Sequence, residues 1–511
     1  MSPADALYRA VCAAPHDDLP RLVYADWLEE NGRAHRAEFI RVQCRLADAS
    51  PADAEYVDLL EREAELKAIL WRELEADRPT LPAGIGWEPE HRGFAERLRF
   101  ANTYNQPLQP VIDRLAGVNA GVPISGLRGV LAPSELRQLS SSPLATTLTS
   151  LHLDSAYARD HYGGVVEVLA EPTTLPSLRR LYVGDDLDAD QFRRLTGSPV
   201  FAELREFHVG RGSDFRAPNL SSLPLRVVGI AGIGRERTDG GLHHFRPEGM
   251  RNVHTLFGVH ADRPADNPFQ FLEVFPQLAR LELHRQPDDL GGLVAPSAIK
   301  LAYLTINSKP RPPLPSLSTD SRLNGLRVLE LHSAFASAAR VWLRSPALVG
   351  LRQLTLHESS NGKAPDWFAS ARCWESLTSF RWSRGTSPPP APLRWLTDVR
   401  AVRLKHLDLK GLVLGDAGAV ALASNPSLGN LTRLNLSGCR IGPRGVQALL
   451  QSPHLQRLVE LNLYANSGGD AVAALADPGV MPELGLADVA ANGVSDEVRR
   501  RLEHRPAIRA R

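Results

Sequence analysis

The sequence predicts an α/β solenoid with a curved parallel sheet on the concave side and helices on the convex side, after a small all-α block. Three observations predict it. Apolar triplets of the form LxxLxL recur along most of the chain, their spacing settles at 25 to 27 residues in the second half, and prolines precede several of them at a fixed offset. Self-similarity at such a period is typical of stacked repeats.

The clearest copies of the triplet begin at Leu404, Leu431 and Leu458, at two successive intervals of 27 residues. Each copy runs through a glycine-containing turn into a segment rich in Ala, Leu and Val. Weaker copies begin at Leu148, Leu178, Leu204, Leu225, Leu278, Leu301, Leu326, Leu351 and Leu377, and degenerate ones lie near Val253 and Leu484.

The spacing within a triplet predicts a short strand. Its last two apolar residues are two apart, so they point to the same side of a sheet, while the residues between them point to the other side. One repeat cannot bury its leucines alone, and stacking on neighbours supplies the missing wall.

A second periodicity supports the same frame. Prolines at 143, 199, 346, 426 and 453 each stand five residues before the first leucine of a triplet. Because proline cannot continue a helix, we expect it to end the convex element and turn the chain toward the next strand.

These residues resemble leucine-rich repeats, and the repeat length and Ala-rich helical segments are similar to the ribonuclease-inhibitor class. Cys439, Asn466 and Asn492 stand at the Asn/Cys position of that motif. The repeats are irregular between about 210 and 320, where segments rich in Pro and His interrupt them.

The first 90 residues differ in character and predict four helices. The first contains Leu7 and Cys12 and ends before Pro15, the second runs from an Asp17-Asp18 cap to Glu30, and the third covers about 33–48. Ser50-Pro51 would start the fourth. The stretch RGFAERLRF at 92–100 alternates apolar and polar residues, which predicts the first strand.

Residues 17–43, DDLPRLVYADWLEENGRAHRAEFIRVQ, resemble the repeat-companion domain known mainly from planctomycete bacterial proteins, often placed before leucine-rich repeats. That resemblance implies no established activity. One interpretation of its charged residues is ion pairs and caps that fix the helices; the other is a partner-docking or catalytic acid site. The positions that we single out in this N-terminal motif are Arg21, Tyr24, Asp26, Trp27, Gly32, Arg36, Glu38 and Phe39.

The predicted domains are a helical cap domain at 1–90, a solenoid at 91–494, and a C-terminal helical cap and tail at 495–511. Repeat arrays need a polar cap at each end. In the segment VSDEVRRRLEHR, Ser495 would cap the last helix, with Val498 and Leu502 facing inward.

Composition narrows the class of protein. The chain has 59 basic and 58 acidic residues, a formal net charge of +1, which disfavours a general nucleic-acid binder. Four cysteines lack a CxxC pair. We find neither a signal-peptide pattern nor a run of about 18 apolar residues, so we expect a cytoplasmic protein without a membrane span.

Catalytic spacings are absent from the sequence. It contains no GxxxxGK[ST], HExxH or GxSxG, so we expect neither an enzyme nor a bound cofactor. His284, His332 and His357 share one repeat position, just after the last inward leucine. Such a column could bind a metal, sense pH or serve an enzyme, which is the alternative to a non-enzymatic binding scaffold.

The scaffold hypothesis places a protein partner on the concave face. Arg and Tyr dominate protein interfaces, and both charge signs occur at the outward positions of the strands. The residues that we assign to this face are Arg180, Tyr182, His208, Arg280, Glu282, His284, Tyr303, Glu330, His332, His357, Arg381, His406, Asp408, Arg433 and Tyr464.

Overall fold

The computed structural model divides the chain into two compact units. The first comprises Met1–Glu63 and Arg72–Pro287, and the second comprises Ala64–Trp71 and Asp288–Arg511. The structure describes residues 2–81, 84–100, 122–154, 162–171, 175–184, 187, 189–209, 224–230, 251–260, 272–273, 275–285, 291–295, 297–307, 316–317, 320–332, 341–358, 371–384, 394–505 and 507–510.

Four helices open the chain, as predicted: α1 (Pro3–Ala13), α2 (Leu19–Glu30), α3 (Ala34–Asp48) and α4 (Tyr56–Ala76). Ser2 caps α1 in a capping box, and Gly32 ends the α2 turn with a φ of 79°. The fourth helix starts later than expected because residues 50–53 form a local turn. The Asp53 carboxylate accepts from the Ser50 N–H, and the Ser50 hydroxyl oxygen accepts from the Ala52 N–H.

The helical block has its own apolar centre in the first unit. Val11, Ala25, Leu28, Ala37, Ile40 and Cys44 are buried together with Phe94, which lies in the segment before the first parallel strand. Tyr8, Tyr24 and Trp27 pack around them. The block is therefore joined to the sheet region by a shared core.

The sheet of the first unit consists of strands that pair in chain order. The strand β1 is antiparallel to β2, and all later pairs are parallel. Its strands are β1 (Ile85–Trp87), β2 (Arg97–Phe100), β3 (Gly126–Gly129), β4 (Ser150–Leu153), β5 (Arg180–Val183), β6 (Glu206–Val209), β7 (Val227–Ile230), β8 (Thr255–His260) and β9 (Arg280–Arg285).

The second unit has the same organisation, with parallel pairing in chain order throughout. Its strands are β10 (Tyr303–Ile306), β11 (Val328–His332), β12 (Gln353–Glu358), β13 (Ser379–Arg384), β14 (His406–Asp408), β15 (Arg433–Asn435), β16 (Glu460–Asn462), β17 (Leu486–Asp488) and β18 (Ile508–Arg509).

Helices or 3-10 turns connect many of these strands. In the first unit they are Pro133–Ser140, Pro143–Thr146, Tyr162–Leu169, Ala189–Thr196 and Pro199–Ala202. In the second unit they are Gly291–Val294, Pro346–Leu348, Arg372–Glu375, Arg394–Asp398, Gly415–Ala423, Pro426–Leu428, Pro443–Leu450, Gly469–Ala476 and Asp496–Glu503. Among the described helices, none combines the length and the apolar composition needed to cross a membrane.

The leucine frame is confirmed by burial and register. Leu151 lies opposite Leu181 and Leu181 opposite Phe207, all essentially without solvent exposure. In the second unit Leu407, Leu434 and Leu461 form the same kind of buried row at 27-residue intervals. The inward residues of each strand therefore stack on those of the next.

The prolines do more than end a helix. Pro143, Pro346 and Pro426 each open a 3-10 turn, and Pro199 opens a short helix. Proline suits the first position of a helical turn, where its missing N–H is not needed. Each of these turns buries at least one apolar residue, such as Leu144 or Leu428, so the turn contributes to the core before the next strand begins.

Hydrogen bonds explain the Asn/Cys position. The Asn466 amide donates to the carbonyl oxygens of Leu436 and Leu463 at 2.8 and 2.9 Å, and its oxygen accepts from Ile441. Asn492 repeats the pattern, and the Cys439 thiol donates to the Leu409 oxygen. These buried side chains satisfy backbone groups where one repeat turns away from its strand.

Three strands lie outside the sequence prediction. Gly129 stands in β3 where other repeats carry the last inward apolar residue, so β3 does not fit the triplet. The antiparallel β1 and the two-residue β18 follow no repeat. The C-terminal helix is confirmed: Ser495 accepts from the N–H of Val498, and Val498 and Leu502 are buried.

Candidate functional site

Two columns of side chains cover the face of the first unit's sheet opposite the leucine core, because they alternate with the inward residues of each strand. Most of these positions are half-buried. The first column contains Arg97, Gly126, Ser150, Arg180, Glu206, Val227, Thr255 and Arg280. The second contains Arg128, His152, Tyr182, His208, Gly229 and Phe257.

Four rings of the second column form what we call the ring ladder: His152, Tyr182, His208 and Phe257. The centroids of His152 and Tyr182 are 3.8 Å apart with planes inclined by 21°. Tyr182 and His208 are 5.5 Å apart, and His208 and Phe257 are 5.3 Å apart. Aromatic contacts at these separations are favourable and hold the rings in place.

A glycine makes the ladder continuous. Gly229 lies between His208 and Phe257 in the register of the strands. A Cβ atom at position 229 would come within 2.1 Å of the His208 Nδ1 atom. The absence of a side chain at Gly229 therefore lets the His208 ring lie across that strand toward Phe257.

Polar groups fix both ends of the ladder. Asp154 contacts the Arg128 guanidinium and the His152 Nε2 atom, each at 3.1 Å. Burial and the nearby Arg128 cation lower the pKa of His152 to about 4, so its ring is neutral near pH 7. At the other end the Arg280 guanidinium lies 5.1 Å from the centre of the Phe257 ring.

A cavity of about 620 Å³, which we call the arginine cavity, lies next to this face in the first unit. Residues at the end of α3, such as Gln43 and Asp48, line one side. Residues at the amino ends of the parallel strands line the other, with Arg97 and Arg180 shared between this cavity and the ring-ladder surface.

A buried hydrogen-bond chain connects the helical block to the cavity. Arg21, without solvent exposure, donates to a carboxylate oxygen of Glu96 at 2.6 Å. The other Glu96 oxygen bonds with His91 Nδ1, and His91 Nε2 lies 3.2 Å from Arg180 Nη1.

The charge states along this chain follow from burial and charge. Burial, followed by Arg97, lowers the pKa of His91. Burial alone would raise the pKa of Glu96, but Arg21 and the His91 hydrogen bond lower it overall. We infer a neutral His91 that donates to an ionised Glu96 and accepts from Arg180.

The structure places the other residues of the N-terminal motif in contacts within the chain. Asp26 pairs with Arg41 at 2.7 Å, and Glu38 receives two hydrogen bonds from Arg62 at 2.7 Å. The buried Arg36 guanidinium lies 3.4 Å from Glu73. Phe39 is fully buried, and Tyr24 stacks on Trp27 with centroids 6.1 Å apart.

The structure brings four of the predicted sheet-face residues together in the first unit: Arg180, Tyr182, His208 and Arg280. Glu282 is half-buried on β9. His284 belongs to the same strand, but its side chain lies outside the described residues.

In the second unit, several predicted residues pair across neighbouring strands. Arg381 contacts Asp408 at 3.2 Å, and Arg433 contacts Glu460 at 2.6 Å. The Glu330 carboxylate accepts from the Thr305 hydroxyl. The first two contacts join opposite charges, and we call them the mixed-sign pairs of this unit.

Three predicted residues of the second unit differ from expectation. Tyr303 is only 4% exposed because both faces of β10 are covered, and His406 is also buried on β14. Tyr464 does not lie on a strand: β16 ends at Asn462, whose side-chain oxygen accepts from the Tyr464 N–H and turns the chain. Tyr464 is therefore an exposed turn residue.

Two members of the histidine column contact each other: His332 and His357 lie opposite each other with ring centroids 4.3 Å apart. His357 Nδ1 bonds with the Ser383 hydroxyl. Within the described residues, no group of three or more His, Cys, Asp or Glu side chains is arranged to hold a metal ion.

Sequence reasoning missed Arg97, Arg128, His152 and Phe257. His152 could have been found, since it stands between Leu151 and Leu153 just as Tyr182 stands between its own inward residues. Arg128 was hidden because β3 breaks the triplet, and Phe257 because its repeat is degenerate. Nothing in the local sequence indicates the His91–Arg180 contact, which joins residues 89 positions apart.

Comparisons with known proteins agree with the repeat assignment. The family model described as Leucine Rich repeat matches residues 430–450. No curated protein matches the chain by sequence.

Solved structures similar to the chain include an internalin from Listeria monocytogenes, 15% identical, covering 70% of this chain and 88% of that one with a TM-score of 0.29. Another is the yeast Rad7 and Elc1 complex, 15% identical, covering 95% and 94% with a TM-score of 0.31. A third is the APL1 leucine-rich repeat domain, 16% identical, covering 75% and 83% with a TM-score of 0.29. Each repeat contributes one parallel strand and one leucine to the buried row, so the chain has the fold of a leucine-rich-repeat solenoid, and residues 430–450 match that family's model.

Proposed function

We propose that the protein is a non-enzymatic scaffold that binds another protein on the sheet face of the first unit that lies opposite the leucine core. The observation that carries this proposal is the ring ladder, in which Tyr182 and three further rings present a pre-formed aromatic surface beside arginines. Tyr and Arg that are already held in one geometry lose little entropy on binding, which favours them as anchors of an interface.

The mixed-sign pairs of the second unit form a second candidate surface of the same scaffold. Arg381 is 54% exposed although it contacts Asp408, so a partner could exchange that contact for one of its own. Such an exposed pair contributes little to stability, which leaves both residues available for binding.

The class of the repeats, the identity of the N-terminal block and the cellular location are part of the same proposal. We assign the repeats to the ribonuclease-inhibitor class and residues 17–43 to the planctomycete-type companion domain, acting as the cap of the array. We also propose a cytoplasmic location, since Cys12, Cys44, Cys373 and Cys439 are all free thiols, the state that a reducing compartment maintains.

Site-specific photo-crosslinking in the source cell tests which face binds. A photoreactive phenylalanine analogue at Tyr182 should yield a discrete crosslinked partner, whereas the same group at Val420, exposed on the helix Gly415–Ala423, should not. With the partner purified, Tyr182→Ala should weaken the complex by about 2 kcal/mol, as for an interface anchor.

A double variant tests whether the second unit also contributes to the interface. The Arg381→Ala, Arg433→Ala double variant should leave binding within about threefold if only the first unit carries the interface, because both residues then lie outside it. Equal crosslinking from positions 182 and 420, or a Tyr182→Ala variant with unchanged affinity, would count against the sheet face.

A further inference from the structure

The arginine cavity carries an excess of positive charge. Seven arginines and four carboxylates line it. Two of those carboxylates already have partners: Glu90 accepts from Arg78 Nε at 2.9 Å, and Glu206 lies 2.8 Å from His208 Nε2. The arginines are therefore not neutralised one for one by the acidic residues of the lining.

Among the seven arginines of the lining, Arg97 gives the clearest indication of a ligand site. Its Nε and Nη2 atoms are buried, and they have no hydrogen-bond partner among the residues that the structure describes. Two buried guanidinium nitrogens without hydrogen-bond partners are costly to the folded protein, so this arrangement indicates a site that a ligand completes.

The neighbours of Arg97 leave room for its side chain to reach into the cavity. Gly126 and Ser150 occupy the positions between Arg97 and Arg180 in the strand register. A Cβ atom at Gly126 would come within 2.8 Å of the Arg97 Cγ atom. The small residues on the two intervening strands thus let two guanidinium groups approach the same space.

Arg180 faces the same space and is held from behind. Its Nη1 and Nη2 atoms lie 3.2 and 3.3 Å from His91 Nε2, a neutral acceptor. Burial, followed by the Arg97 cation, lowers the pKa of Arg180 to about 9. The His91 contact fixes the direction of the guanidinium without cancelling its charge.

A row of basic side chains continues along the rim of the cavity. Arg179, Arg205 and Arg226 stand just before strands β5, β6 and β7, and their backbones bond directly from one to the next. Neighbouring strands lie about 4.8 Å apart, and like charges directly opposite are destabilising. Arg205 and Arg226 are exposed and can meet an incoming anion.

We propose that the arginine cavity binds an oxyanion, a carboxylate or phosphate group, between Arg97 and Arg180. Guanidinium groups present donors in a fork that matches two oxygens of such a group. A volume of about 620 Å³ suits a compact ligand or one extended side chain. The carboxylates in the lining repel a continuous sugar–phosphate backbone, so a nucleic acid fits this cavity less well than a single carboxylate or phosphate group.

Calorimetric titration of the purified full-length protein tests the site with three probes: inorganic phosphate, succinate and a hexaglutamate peptide. NaCl at matched ionic strength controls for screening. Arg97→Gln should weaken binding of the preferred probe by at least about tenfold, since a charge-assisted pair is lost. Arg99→Gln, on the same strand but outside the cavity lining, is the matched control and should bind normally.

Thermal unfolding without ligand separates this role from a structural one. Burial lowers the pKa of Arg97 more than the nearby Glu96, Glu206 and Glu88 raise it. Because Arg97→Gln removes a cation that its surroundings disfavour, the melting temperature of the variant should equal or exceed that of the unchanged protein. A residue that merely supports the fold would lower it. Arg97→Lys keeps the charge without the fork and should lose an intermediate amount of affinity, which provides a second variant if Gln perturbs folding.

The probes also identify the source of the oxyanion. Tighter binding of phosphate or succinate than of the peptide indicates a free small molecule, and the reverse indicates an acidic segment of a protein. Failure of all three probes to bind beyond the NaCl control would overturn the proposal, as would equal losses in Arg97→Gln and Arg99→Gln. Because no partner is present, this result is independent of the crosslinking test of the sheet face.

Discussion

Arg21 shows how a charged residue can belong to a core. Its guanidinium is fully buried and donates to Glu96, to the Pro15 oxygen at 2.6 Å and to the Arg92 oxygen at 3.1 Å. The Arg21 Cζ atom lies 5.3 Å from the centre of the Phe94 ring. A buried ion pair is stable only when further hydrogen bonds satisfy its partners, and the Arg21 Nη1 and Nη2 atoms meet that condition, whereas Nε has no partner among the described residues.

Replacing one partner of this pair gives the first stability prediction. Glu96→Ala should lower the free energy of unfolding by about 3–5 kcal/mol, because it leaves the Arg21 charge buried and unpaired. Asp26→Ala, which removes the exposed partner of Arg41, should cost under about 1 kcal/mol. Urea denaturation of both variants measures the difference, and comparable losses would contradict the assigned burial.

The sequence indicated which residues of the N-terminal motif matter but not what they contact. Arg21 stands near Tyr24 and Trp27 in a helical pattern, and its partner is 75 positions away. Periodicity reports the face of a helix, whereas a pairing over such a separation depends on how the chain packs. The same reason explains why Arg180 was found and the donor set around it was not.

At the scale of the element, the LxxLxL strand was the most predictable part of the fold. Strands with two inward apolar residues were located correctly, including the degenerate copy at β8. Prediction failed where the element does not need those residues: β3 ends in Gly129, and β18 consists of Ile508 and Arg509. There, pairing with an existing strand stabilises a segment whose own sequence is uninformative.

The turn that follows each strand gives the second stability prediction. Asn466→Ala should destabilise the protein by about 3 kcal/mol, because it leaves two buried carbonyl groups and the Ile441 N–H without their hydrogen-bond partner. Asn430 also bonds to a carbonyl, that of Val402, but it is exposed and water can replace it. Asn430→Ala should therefore cost under about 1 kcal/mol, and thermal denaturation compares the pair.

Equal losses from the two asparagines would show that burial does not decide the energy of this turn. Amide exchange adds a local measure. In Asn466→Ala the N–H of Ile441 should exchange faster, while amides of the first unit should keep their rates, since opening is local to a few repeats.

At the scale of the whole molecule, buried histidines set the response to acid. Burial is the first cause that lowers the pKa of His91 and His254 in the first unit and of His406 in the second. Between pH 6.5 and those lowered values the unfolded chain binds more protons than the folded chain. Stability should therefore be complete above about pH 6.5 and fall as the pH decreases.

His406 allows this response to be measured one residue at a time. Because its folded pKa lies well below 6.5, it should account for about 1 kcal/mol of the loss between about pH 6.5 and 5.5. His406→Gln should flatten the curve of unfolding free energy against pH by that amount. His35→Gln, exposed on α3, should leave the curve unchanged. A His406→Gln curve with the same slope as the original would show that this imidazole does not weaken the fold in acid.

The contact between His91 and Arg180 has a consequence for how such proteins can be rearranged. His91 orients the Arg180 guanidinium at the cavity. The Glu96 carboxylate in turn holds His91, and Arg21 of α2 holds Glu96. A chimera that joined these opening helices to a foreign array would break that dependence unless positions 91 and 96 were transplanted with them. The opening helices and the early strands would therefore have to be transferred as one part.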